Sequence, residues 1–307
     1  MTEQSFPPAW HAFLKEHLVL HPFAAIALAI SASAVIFLLT QSALNIVEAD
    51  VQSFKWALMA GVAGFLATAI GALPALLLRE LPQKFEDSML GFAAGMMLAA
   101  STFSLIIPGI DAGKEIFNSQ FISVMVVVAG LAFGVMLMLG LDQFTPHEHE
   151  KTGPCGPGYE ICERVWLFVF AIALHNLPEG MAMGVGFSNG DVSVGLPLAT
   201  AIAIQDMPEG LAVALSLRAA GAKAGSAVLI AAASGLLEPL GAIIGVTLTG
   251  GSIWSYPLGL GLAGGAMIFV VSHEVIPETH RNGHQTLATI GLMIGFALMM
   301  VLDTTLG

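Results

Sequence analysis

The sequence predicts an all-α protein whose helices form a membrane-embedded bundle. Two observations carry that prediction. Of 307 residues, 56% are hydrophobic and only 10% are charged, where a soluble domain carries about 25% charged residues. Nine apolar stretches also reach the ~20 residues that a helix needs to cross a bilayer core. No stretch shows the alternating, ~10-residue pattern of an outer-membrane barrel. The same composition excludes a soluble enzyme and a disordered chain, and a net charge of −12 argues against a nucleic-acid binder.

The spans run roughly over 22–42, 54–78, 88–109, 121–141, 165–185, 195–217, 226–249, 254–276 and 286–306. The first exceeds a signal-peptide core in length and no cleavage site follows it, so it reads as a retained helix. The next three are plain apolar runs. Spans five, six and seven are interrupted by acids and prolines, and the last two are again apolar. With nine spans, one face carries Lys15, Arg79, Lys84, Lys151, Arg164, Arg218, Lys223 and Arg281, and the other only Lys55 and Lys114. The positive-inside rule then places the amino terminus and the 142–164 loop in the cytoplasm and the carboxyl terminus outside. Cys155 and Cys162 lie in that loop. A reducing compartment and a spacing unlike a zinc site make them two free thiols.

Span five contains His175-Asn176-Leu177-Pro178-Glu179-Gly180, and span six contains Gln205-Asp206-Met207-Pro208-Glu209-Gly210. Both follow one template: polar, polar, apolar, Pro, Glu, Gly. Span seven adds Glu238-Pro239 inside its own apolar run. Such paired interruptions point to a binding site near the membrane midplane. His175 and Glu179 are four residues apart, as are Gln205 and Glu209, so each pair shares one helix face. Each proline lacks an amide and frees a carbonyl, those of Leu174 and Ile204. Such a carbonyl must face protein or a watery cavity.

A carboxylate at the centre of a span costs about 2.5–3.5 kcal/mol on insertion scales. Glu179, Asp206, Glu209 and Glu238 all fall near span centres, and no lysine or arginine lies at that depth. Cations are therefore expected to neutralise them: divalent metal ions, or protons. Mixed imidazole and carboxylate ligands suit Zn²⁺, Fe²⁺, Mn²⁺ or Cd²⁺. Four carboxylates exceed the needs of one zinc, so two ions bridged by Glu179 and Glu209 are expected.

At these residues the chain resembles the ZIP (Zrt/Irt-like) family of divalent metal transporters, in its bacterial GufA-like branch. The resemblance rests on HNLPEG at 175–180, IQDMPEG at 204–210, EPLG at 238–241, LGFAAGMMLAAS at 90–101 and VVSHEVIPETHRNGH at 270–284. It implies an eight-helix core over 54–307, preceded by an extra helix in 1–53. It implies an integral plasma-membrane protein, commonly a homodimer. Such a protein moves Zn²⁺, and also Cd²⁺, Fe²⁺ or Mn²⁺, into the cytosol by an elevator-like movement of one bundle against another. The implied ligands are His175, Asn176, Glu179, Gln205, Asp206, Glu209 and Glu238, with Met97 as a soft ligand on the outer side. No prosthetic group is implied; the metal is cargo.

Other polar residues allow secondary roles. His147, Glu148 and His149 could hold metal after release, or be a solvated loop. Asp142, His273, Glu274 and His284 are candidates for a cytoplasmic exit path, or ordinary helix-end polar residues. Asp111 and Asp303 could draw cations into an outer entrance. Two other functions fit the intramembrane acids: a membrane metalloenzyme, although the HExxH box is absent, and a proton-coupled carrier of another solute.

Overall fold

A computed structural model describes residues 18–44, 51–144, 147–149, 153–155, 164–190 and 192–306. For 147–149, 153–155, 164–174 and 189 it describes the backbone alone. The chain is a helix bundle, as its hydropathy predicts. Helix α1 spans Pro22–Leu44, α2 Val51–Ala72, α3 Gln83–Ala100, α4 Ile107–Phe117 and α5 Gln120–Phe144. After a short hairpin, β1 His147–His149 and β2 Gly153–Cys155, come α6 Arg164–Gly186 and α7 Val192–Ala219. Then follow α8 Ala224–Ser234, α9 Leu237–Leu248, α10 Ser255–Val270, α11 Ile276–Thr279 and α12 Gln285–Leu306. Among the described residues, eight helical segments are long and apolar enough to cross a membrane. The 23-residue α6 occupies the place of the expected fifth span.

Besides a closing 3-10 turn at Leu73–Leu76 after α2, three spans depart from straight α-helix within their length, each at a proline. Ser101–Ile106, between α3 and α4, is a π-turn just before Pro108; Val271–Val275, between α10 and α11, is another just before Pro277. A proline has no amide to offer the preceding ladder, and a π-turn absorbs the mismatch. The third departure corrects the expectation of one continuous helix over 226–249. The chain stops helically at Ser234 and restarts at Leu237. Pro239 then sits in the first turn of α9, where its missing amide costs nothing. Pro178 and Pro208, by contrast, are carried inside continuous helices.

The helices associate as two groups. In one, α9 packs on α6 and α2, and α2 packs on α7 and α8. In the other, α12 packs on α3 and α10 on α5. The groups meet where α3 and α12 touch α7 and α10 touches α6. Helix α1 lies outside, against α5 and α9, with Phe37 stacked on Trp254. Large apolar side chains such as Leu229, Met293 and Phe121 stay exposed, which a lipid solvent tolerates.

Apolar burial cannot drive helices together in lipid, so backbone approach and packing must. Three pairs solve this alike, with two glycines one turn apart on each partner. Gly91 and Gly95 of α3 meet Gly291 and Gly295 of α12; Gly130 and Gly134 of α5 meet Gly261 and Gly265 of α10; Gly180 and Gly184 of α6 meet Gly241 and Gly245 of α9. A Cβ on any of them would overlap the partner's backbone. Gly265→Val is therefore expected to destabilise the protein by about 1–3 kcal/mol, read as a lower melting temperature in detergent. Gly225→Ala, where nothing lies within 4 Å of the new Cβ, should leave melting unchanged.

Candidate metal centre

The first helix group brings the acids of three spans to one place. Glu179 on α6 and Asp206 and Glu209 on α7 each offer an oxygen, and these atoms lie within 4.8 Å of one another. Glu238 stands beside them in the first turn of α9. That half-helix begins in the bundle interior, so the positive end of its dipole meets the carboxylate. Glu179 and Glu238 are both 0% exposed. Asp206, Gln205 and Asn176 are also buried; Glu209 is partly buried.

Hydrogen bonds order the cluster without neutralising it. Gln205 Nε2 donates to Glu179 Oε1 at 2.7 Å, and Thr68 Oγ1 donates to Glu238 Oε1 at 2.9 Å. Asn176 Nδ2 lies 3.4 Å from Ser234 Oγ at the end of α8. Five other oxygens are bare: Glu179 Oε2, Gln205 Oε1, Asp206 Oδ2, Glu209 Oε1 and Glu238 Oε2 are enclosed and have no hydrogen-bond partner. Among the described residues, none of the four carboxylates makes an ion pair with a lysine or arginine. Among the described bases, Arg218 is held by the carbonyls of Ala75 and Leu78, Arg281 pairs with Glu278, and Lys114 pairs with Asp111. Bare, convergent oxygens of this kind are the donor set a divalent cation requires.

The two motif glycines both serve Glu238. A Cβ on Gly180 would overlap the Glu238 backbone, and a Cβ on Gly210 would overlap the Thr68 carbonyl. Gly180 therefore admits α9 itself. Gly210 admits the stretch of α2 whose Thr68 holds the carboxylate. Gly64, one turn before Thr68, leaves the space in which Glu238 Oε2 sits.

His175 Nε2 lies 3.3 Å from Glu274 Oε2. The π-turn that carries Glu274 thus turns this acid toward the central cluster, and the contact joins the two helix groups. Sequence reading had grouped Glu274 with the cytoplasmic exit; no local signal marks its partner 99 positions away in the chain. His273 Nε2 lies 3.7 Å from Asp142 Oδ2, so those two do meet. His284 stands elsewhere in its contacts, with Nδ1 2.8 Å from Oδ2 of Asp87, which also accepts from Asn282. Met97 is buried within the main apolar core. Asp303 Oδ1 accepts from Ser104 at 2.5 Å, and Asp111 pairs with Lys114 at 2.7 Å. His147 and His149 lie on β1, and Cys155 pairs in register with His147. The side chains of His147, Glu148, His149 and Cys155, and the whole of Cys162, lie outside the described part. Thr68 and Gly64 were missed by sequence reading. Their only trace is that Gly61, Gly64 and Thr68 share one face of span two.

Comparison with known proteins places the chain among transporters. A family model described as ZIP Zinc transporter matches residues 147–303. The chain is 59% identical over 300 residues to Zinc transporter ZIPB of Bordetella bronchiseptica, covering 97% of this chain and 96% of that protein. It is 41% identical over 250 residues to Zinc transporter GufA of Myxococcus xanthus, covering 81% and 98%. It is 36% identical over 249 residues to Zinc transporter ZupT of Corynebacterium glutamicum, covering 77% and 93%.

Crowded like charges repel one another in the cluster. Glu209→Gln keeps the shape and removes one charge. It is expected to raise the melting temperature of the metal-free protein, by the equivalent of about 0.5–2 kcal/mol. The same variant should lose the extra stabilisation that added Zn²⁺ gives the unmodified chain.

Proposed function

Because the chain belongs to the ZIP family, in its bacterial GufA-like branch, and is a membrane transporter rather than an enzyme, we propose that it carries Zn²⁺ into the cytosol through the carboxylate cluster. The observation that carries this reading is the convergence of Glu179, Asp206 and Glu209 with bare buried oxygens and, among the described residues, no lysine or arginine partner. The relatives' names as zinc transporters support zinc as cargo. The mixed donor set also suits Cd²⁺, Fe²⁺ and Mn²⁺.

The site holds two ions in this reading. One is bound by Asn176, Glu179, Gln205, Asp206 and Glu209; the other by His175, Glu179, Glu209 and Glu238, with Glu179 and Glu209 shared. Met97 lines the outer approach, and Asp111 and Asp303 draw cations to it. On the inner side Glu274, already beside His175, receives the ion and passes it toward His273 and Asp142, with His284 and the His147–His149 segment beyond. Transport moves the ligand-bearing group, α2, α6, α7 and α9, against α3, α5, α10 and α12, as an elevator does. Residues 54–307 form this core, with 1–53 as an added segment. The protein sits in a bacterial inner membrane as a homodimer, amino terminus and 142–164 loop in the cytoplasm, carboxyl terminus outside.

Proteoliposomes with a trapped zinc-sensitive dye test the reading. Glu179→Ala combined with Glu209→Ala should abolish zinc influx, and influx that survives would overturn the site. Solute-dependent proton flux without metal flux would favour a carrier of another solute. Glu238→Ala should change the order of preference among Zn²⁺ and Cd²⁺ more than it lowers flux, because the first ion keeps its ligands. Complete loss of flux with both metals would show that the two ions do not divide the ligands this way.

A further inference from the structure

The hydroxyl of Thr68 has one hydrogen and two neighbours. Gly64 O lies at 3.3 Å and Glu238 Oε1 at 2.9 Å. The shorter contact runs to an acid, and a charged acceptor makes the stronger bond, so the hydrogen points at Glu238. The other oxygen, Oε2, has no partner. It sits in the space left by the missing side chain of Gly64, and Asp206 Oδ2 lies 3.1 Å from where a Gly64 Cβ would be. Helix α2 thus supplies no ligand, yet it shapes the Glu238 carboxylate from two sides. Thr68 ties down one oxygen and Gly64 gives room to the other.

We propose that Thr68 is the positioning residue for the second ion: its bond to Glu238 Oε1 leaves Oε2 as a single, aimed ligand. The inference rests on the two-ion reading above and adds a residue to it. One fixed oxygen suits a four-coordinate ion such as Zn²⁺, which takes its carboxylate oxygens at about 2.0–2.2 Å. Groups that orient a metal ligand typically change affinity about 10–100-fold when removed. Without the hydroxyl, Glu238 turns freely about its last side-chain bond and loses the aim. The first ion does not depend on Glu238 and keeps its affinity.

The test is a zinc titration of the purified full-length chain in detergent, against a competing chromophoric chelator that resolves two binding events. In Thr68→Val the weaker event should lose about 10–100-fold in affinity while the tighter one is unchanged. Thr68→Ser, which restores the hydroxyl, should bind as the unmodified chain does. A residue that merely fills space would not separate valine from serine in this way. Thr68→Val binding both ions with unaltered affinity overturns the proposal. So does equal weakening of both events, or a serine variant as weak as the valine one. If Thr68→Val does not fold, Thr68→Cys, with its weak S–H donor, takes its place with the same expectation. An unmodified chain that binds a single zinc overturns the two-ion reading, and that outcome is distinct from failure of Thr68 alone.

Discussion

The fold is organised around a crowd of like charges in a place where charge is expensive. Glu179, Asp206 and Glu209 each bring an oxygen within 4.8 Å of the others, Glu238 is buried nearby, and among the described residues no lysine or arginine pairs with them. In a medium of low polarity their repulsion is far stronger than at a surface. An ordinary buried carboxylate is kept by an arginine or by several amide donors. Here Gln205 satisfies one oxygen of Glu179 and Thr68 one oxygen of Glu238, and five enclosed oxygens remain bare. The arrangement persists because the surrounding helices hold it.

Holding it requires close backbones. Helices in lipid gain little from apolar contact with one another, so they must approach until packing and backbone contacts suffice. Glycines a turn apart provide that approach in three helix pairs. The same device reaches into the site. Gly180 lets α9 come against α6, and Gly210 lets α2 come against α7. Both glycines follow the glutamate of their own motif, so each motif supplies one buried acid and admits the element that carries Glu238 or the Thr68 that bonds it. The break before α9 completes the arrangement, since Glu238 then stands in the first turn of a half-helix rather than in the middle of a whole one.

Much of this was legible in the chain. Long apolar runs predict spans whatever their neighbours are, because the bilayer fixes their length. Repeated acids without bases predict cation binding, because the insertion penalty must be met by something. The limits of that reading are specific. Span seven reads as one helix by its length, whereas the chain breaks between Ser234 and Leu237, beside the close packing of Gly241 on Leu177 and of Gly180 on Glu238. Contacts between distant residues are also invisible in the chain: the π-turn ahead of Pro277 brings Glu274 to His175, and His284 meets Asp87.

By itself, then, the sequence determined that the chain is a bundle of apolar membrane-length helices, the family, and which acids lie inside the spans. All three follow from short-range facts: run length, periodicity and the spacing of prolines and carboxylates. Only the tertiary structure decided which oxygens face one another and which are held. Thr68 and Glu238 are 170 positions apart, and His175 and Glu274 belong to different helix groups. Whether such pairs meet depends on how closely two backbones approach and on the rotation of each helix about its axis. Those quantities are set by packing among all the helices at once, and no single stretch of chain encodes them.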